Sequence, residues 1–205
     1  MGTGTKVGLA IVGAIVLIAI VLGMTIAGTY NSLVQLDQAT QTAWAQVENV
    51  YQRRADLVPN LVNTVKGAAN FEQSTLTAVT EARSKVGQVT GGALQNIAND
   101  PQAFQRFEQA QAGLSSALSR LMVVVEKYPE LKATQGFRDL SSSLESTENR
   151  IAVERMRFNE AAQAFNTRRE SFPTVIIANF FGSKFNRKPY FAAQPGAEKA
   201  PEVKF

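Results

Sequence analysis

The chain has 205 residues, with 21 Lys and Arg against 17 Asp and Glu, and contains neither His nor Cys. These absences exclude a thiol nucleophile, a Ser-His-Asp triad, a Cys/His zinc site and the Glu-x-x-His di-iron sites of four-helix bundles. A net charge of +4, interleaved with acidic residues, predicts mild attraction to anionic surfaces and no nucleic-acid partner.

Residues 1–6 form a short leading segment. Residues 7–27 read VGLAIVGAIVLIAIVLGMTIA and carry no charge, with Thr25 as the one hydroxyl. At helical rise this stretch spans roughly 30 Å, the thickness of a bilayer core. A cleaved signal peptide is the alternative, with Lys6 as its basic start and Thr25-Ile26-Ala27 as its cleavage site. A signal h-region is shorter, about 7–15 residues, so an uncleaved transmembrane anchor is preferred. Lys6 lies before the span and no Lys or Arg follows it until Arg53. The positive-inside rule then places the N-terminus in the cytoplasm and the remaining domain outside the cell membrane.

The rest reads as helix, with no sustained period-2 alternation and no hairpin signal. The first seam runs Leu33, Leu36, Thr40, Ala43, Val47, Val50, Arg54, Leu57, Leu61, Thr64, Ala68, Phe71. A second runs Phe104, Phe107, Gln111, Leu114, Leu118, Leu121, Val125, Tyr128. A third follows Phe137, Leu140, Leu144, Thr147, Ile151, Glu154, Phe158, Ala161, Phe165, Arg168, Phe172. Steps alternating between 3 and 4 are those of antiparallel bundles and coiled coils. Asp100-Pro101 is a helix start, with Asp as N-cap and Pro at the first helical position.

Pro59 interrupts the first pattern. Inside a helix it removes a hydrogen bond and clashes with the preceding turn, at a cost of about 3 kcal/mol. A turn near Ala55 avoids this: Asp56 caps a new helix and Pro59 falls in its first turn. The segments then become 30–54, 57–87, 101–127 and 134–172, an all-α, up-and-down four-helix bundle over residues 30–172. A three-helix bundle with one long, kinked first helix is the alternative. It is favoured by the lack of Gly at the turn and by a 3-4 rhythm that crosses residue 59 without a slip.

Several stretches together resemble the LemA family. They are AWAQVENVYQRRADLVPNLVNTVKG (43–67), RLMVVVEKYPELKA (120–133), LESTENRIAVERMRFNEA (144–161), YNSLV (30–34) and the closing YFAAQPGAEKAPEVKF (190–205). The resemblance covers the chain from about Tyr30 onward. It implies a membrane-anchored bundle of long helices and supplies no catalytic residues to carry over. Some members of the family are associated with bacterial membrane organelles.

Two constellations stand out. Glu48, Asn49 and Arg53 on the first seam helix, with Glu148, Asn149 and Arg150 on the last, form paired polar motifs. Counted back from the distal end, Glu48 lies roughly level with Glu148 and Arg150, within about one turn. An interhelical polar network that fixes register is preferred over a ligand site or an acid/base pair, because no nucleophile or metal ligand accompanies the carboxylates. The other constellation is the tail, 173–205. Phe180, Phe181, Lys184, Phe185, Arg187 and Lys188 either touch lipid or a partner, or the apolar part caps the core. Trp44 is expected in the core.

These readings predict a single-pass envelope scaffold acting through oligomerisation or partner binding, without catalysis or cofactor. Membrane lipids are the expected partners, through the anchor, together with further copies of the chain. A peripheral lipid-binding or membrane-shaping module using the aromatic and basic tail is the alternative. An enzyme is the least favoured class, since the ordinary catalytic side-chain sets are missing.

Overall fold

A single helix, α1 (Thr3–Lys66), begins in the apolar segment and runs without interruption into the core of the domain. Its 64 residues extend about 96 Å at helical rise. The computed structural model describes residues 2–67, 71–91 and 97–192. The Lys6 side chain, seam position Ala68, residues 92–96 and the end of the tail (193–205) lie outside the described residues.

After α1 come α2 (Gln73–Gly91), a 3₁₀ turn (Ile97–Asn99), α3 (Pro101–Val125), the short α4 (Pro129–Lys132) and α5 (Gln135–Glu170). The chain then forms α6 (Thr174–Phe180), a second 3₁₀ turn (Gly182–Phe185) and an extended segment to Ala192. The helix starts follow their caps. Asp100 accepts hydrogen bonds from the Gln102 and Ala103 amides, at 2.8 and 3.2 Å, with Pro101 in the first turn. Thr134 accepts from the Phe137 amide at the head of α5.

The proposed turn near Ala55 is absent. The helix continues through Pro59 and ends at Lys66–Gly67, so the four long helices are α1, α2, α3 and α5, divided differently from the sequence expectation. A tertiary contact makes this affordable. Proline has no N–H to offer the carbonyl four residues back, which belongs to Ala55. The Arg83 Nε on α2 donates to that carbonyl at 3.0 Å. The freed acceptor is thereby satisfied inside a buried stretch, and the helix need not break.

This arrangement yields a double-mutant prediction. Arg83→Ala in the native background leaves the Ala55 carbonyl without its donor and costs about 1 kcal/mol. With Pro59→Ala already in place, residue 59 supplies its own N–H, and the cost of Arg83→Ala falls by about 0.5 kcal/mol or more. Equal costs in both backgrounds, measured by denaturant melts, would show that Arg83 does not compensate for the proline.

α1 and α5 form the principal antiparallel pair. Thr40 on α1 reaches the Ala161 carbonyl, while Arg54, further along α1, reaches Glu148, earlier on α5. α2 packs mainly on α3. The core is layered along this axis. Farthest from the apolar span is an aliphatic layer including Val58, Leu61, Val65, Val79, Leu114, Leu121 and Leu144. The middle layer is aromatic: Trp44, Tyr51, Phe104, Phe107, Phe158 and Phe191. Nearest the span lie Leu33, Phe165, Ala178 and Phe185. The apolar part of α1 leaves the bundle altogether. Its large apolar side chains from Val7 to Ile26 are 45–64 % exposed, as a bilayer-facing helix requires.

Candidate functional site

Two polar layers separate the three apolar ones, and both are centred on a buried cation. The first is Arg54, 1 % exposed. Its Nη1 donates to Ser115 Oγ at 2.7 Å and to Glu148 Oε1 at 2.8 Å. Its Nη2 donates to the carbonyl and side-chain oxygens of Gln111. The guanidinium carbon sits 5.0 Å from the Tyr51 ring centroid. One side chain thus joins α1, α3 and α5. A buried guanidinium costs several kcal/mol unless paired, so this position strongly disfavours any slip between the three helices.

Glu148 is 42 % exposed and opens onto a cleft of about 440 Å³, which Glu108, Gln105 and Arg155 also line. Arg155 approaches Glu108 at 3.8 Å. Burial pushes the Glu108 carboxyl above its ordinary pKa, while Arg155 and the Ala192 amide pull the other way. A carboxyl with a raised folded-state pKa favours the fold when protonated. That contribution is fully present below the ordinary carboxylate range and is lost as pH rises through the raised value. Glu108→Gln should therefore be better tolerated at pH 7 than at pH 4. In thermal melts the variant-minus-native Tm difference should be more positive at pH 7, and the reverse order would contradict the burial argument.

The six residues expected to form one network do not meet. Only Glu148 belongs to the Arg54 layer. Glu48 accepts from Trp44 Nε1 at 2.8 Å, and with Asn49 it lines a separate cleft of about 620 Å³ against α2 and α3. Glu148 faces Arg54 and not Glu48, six residues or about 9 Å further along α1, because the helix does not turn at Ala55. Arg53 points to solvent. Asn149 and Arg150 are exposed and line a shallow groove between α1 and α5 with Val50 and Val153. The signal for Arg54 was present in the sequence: it is the one charge on the first apolar seam.

The second layer involves the C-terminal segment. Lys188 is 2 % exposed. Its Nζ donates to Asp37 on α1 and to Asn99 beside α3, and lies 4.7 Å from the Phe165 ring centroid. Its backbone is held by Asn166 on α5, whose Oδ1 accepts from the Lys188 amide at 2.8 Å and whose Nδ2 donates to its carbonyl at 3.0 Å. Asn159 repeats the arrangement with Phe191, both bonds being 2.9 Å. Seven helical residues and three extended ones both rise about 10 Å. The two asparagines therefore match alternate turns of α5 to an antiparallel extended strand. The Phe191 ring fills a box of Trp44, Phe104 and Phe158, with the Arg155 guanidinium 4.6 Å from its centroid.

The tail residues consequently separate into two sets. Phe185 is 1 % exposed and packs near Phe165, and Lys188 is buried, so the expectation that these two meet lipid is corrected. Buried aromatic surface and an ion pair with Asp37 hold them inside. Phe181 is half-buried against Tyr30, with centroids 4.9 Å apart. Lys184 lies over the same ring and donates to its hydroxyl. Phe180 is 86 % exposed, and Arg187 is exposed with a weak ion pair to Glu170.

An exposed apolar span that continues as the first helix of a layered antiparallel bundle defines a membrane-anchored helical-bundle protein. The chain belongs to the LemA family, whose model matches residues 43–205. It is 27 % identical over 212 residues to the magnetosome protein MamQ of Magnetospirillum gryphiswaldense, covering 97 % of this chain and 76 % of that protein. Two MamQ proteins of Paramagnetospirillum magneticum are similar to the same degree. Protein LemA of Metamycoplasma hominis is 23 % identical over 151 residues, covering 74 % of this chain and 64 % of that protein.

Proposed function

We propose that the protein is a non-catalytic scaffold of the bacterial envelope, acting by self-association or by holding protein partners beside the membrane. The observation that supports this most is α1 itself. One uninterrupted helix is both the anchor and a core element, so the bundle is fixed to its anchor without a flexible linker. The most elaborate polar side chains serve the same end. The terminal nitrogens of Arg54, on α1, donate to α3 and α5, and Lys188 holds the chain's own tail, which suits a rigid body more than a turnover site. Native mass measurement of the full chain in detergent tests the self-association arm. A discrete oligomer supports it, whereas a monomer at every concentration leaves partner binding, to be read by crosslinking in intact membranes.

The same reading places the N-terminus in the cytoplasm and the bundle outside. Ser74 and Ser142 are exposed, and the chain has no native Cys, so single cysteines at these positions give clean reports. Both should react with an impermeant thiol reagent in whole cells, after outer-membrane permeabilisation where one exists. Reaction only after lysis would reverse the topology.

A further inference from the structure

We propose that α6 is an interfacial foot, which inserts its outer face into the surface of the bilayer that α1 crosses. The inference rests on the membrane anchor and is independent of the scaffold reading.

The position of α6 is set by α1. The apolar span ends at Ala27, and packing against the bundle begins almost at once, with Thr29 and Leu33 buried. Tyr30, three residues or about 4.5 Å beyond Ala27, packs its ring against those of Phe181 and Phe185, which follow α6. Leu33 shares its apolar cluster with Ala178, in the middle of α6. The inner side of α6 is thus fixed to α1 within about two helical turns of the hydrocarbon core.

The outer side is apolar and uncovered. Phe172, Ile176 and Phe180 are 81, 62 and 86 % exposed. Ile176 and Phe180, four apart on α6, lie on one face of that helix, and Phe172 stands in the turn just before it. Three large apolar side chains exposed together usually mark a contact surface. The bilayer interface is the surface already adjacent to them, continuous with the exposed span of α1. The surroundings suit that depth. Lys184 and Arg187 are exposed just beyond the stripe, where cations meet anionic headgroups, and Tyr30 is an aromatic residue at the level where such side chains anchor. The sequence left Phe180, Phe181 and Phe185 between lipid contact and capping of the core. The structure assigns lipid contact to Phe172, Ile176 and Phe180, because only these face away from the core.

Depth-dependent fluorescence quenching tests this on the full chain in anionic vesicles. An environment-sensitive dye is placed on a single cysteine at Ser183, which is exposed beside the stripe and leaves its apolar residues intact. A dye at Ile18 reports the anchor, and one at Ser142 reports the distal bundle. Lipids carrying a quencher deep in the acyl chains should quench the Ile18 dye, and lipids carrying one near the headgroup should quench the Ser183 dye and blue-shift its emission, while the Ser142 dye stays unquenched by either. Changing Phe172, Ile176 and Phe180 to serine should abolish the Ser183 quenching and leave thermal unfolding unchanged, since these side chains lie outside the core. Quenching at Ile18 with none at Ser183 overturns the foot and leaves the anchor standing. Quenching at Ser183 that survives the three serines overturns it too, because proximity would then owe nothing to the stripe. No quenching at Ile18 removes the anchor and the foot together.

Discussion

Phe191→Ala is expected to destabilise the domain by about 3–5 kcal/mol, the usual range for truncating a buried aromatic ring. Phe191 is 7 % exposed and contacts three other aromatic residues and the Arg155 guanidinium. Loss of the ring also weakens the hold of Asn159 on the segment, because an unanchored strand pays conformational entropy to stay extended. Denaturant melts of the full chain in detergent measure the effect. Trp44 is the sole tryptophan and stacks on Phe191, so its fluorescence reports the same site directly. Asn159→Ala removes two hydrogen bonds and should cost less, about 1–3 kcal/mol. A Phe191→Ala cost below about 1 kcal/mol, with unchanged Trp44 emission, would mean that the segment is not a stable part of the domain.

Arg54→Met is expected to cost about 3 kcal/mol, at the lower end of the range for breaking a buried ion pair. Gln111 and Ser115 lose a buried donor, whereas Glu148, being 42 % exposed, regains water. Adding Glu148→Met should recover part of the loss, because an apolar pair of similar volume often matches a buried ion pair in stability. The native charge would then act mainly in fixing helix register, which predicts broader unfolding in the double variant. Chemical denaturation at constant oligomeric state measures both effects. A loss under about 1 kcal/mol for Arg54→Met would remove the polar layer from the account of this fold.

The two residues differ in what the sequence showed of them. Arg54 sat on the first seam, among Val47, Val50, Leu57 and Leu61, where a charge must be explained. The expectation nevertheless drew Arg53 into the network, although the 3-4 spacing of the seam places Arg54, and not Arg53, on the inner face. Glu48 was paired with Glu148 through an assumed turn, and removing that turn shifts the register. For Phe191 there was no periodic signal at all. The segment around it is extended, and its position depends on Asn159 and Asn166, which as isolated residues on a helix look like ordinary polar positions. Their seven-residue spacing acquires meaning only when a strand of matching rise lies against them.

By itself the sequence determined the apolar span, the all-helical class, the Asp100-Pro101 start of α3 and the polar seam position at Arg54. These follow from properties carried by neighbouring residues: transfer to lipid, helical periodicity and capping. The tertiary structure alone decided where the first helix ends, because the penalty for Pro59 depends on whether another helix supplies a donor to the Ala55 carbonyl, and Arg83 does. It also decided which tail side chains are buried. Phe180, Phe181 and Phe185 are chemically alike, but Phe185 is packed near Phe165 while Phe180 faces away from the bundle. Burial of identical rings is settled by the partners that distant parts of the chain bring to them, a quantity that no local pattern contains.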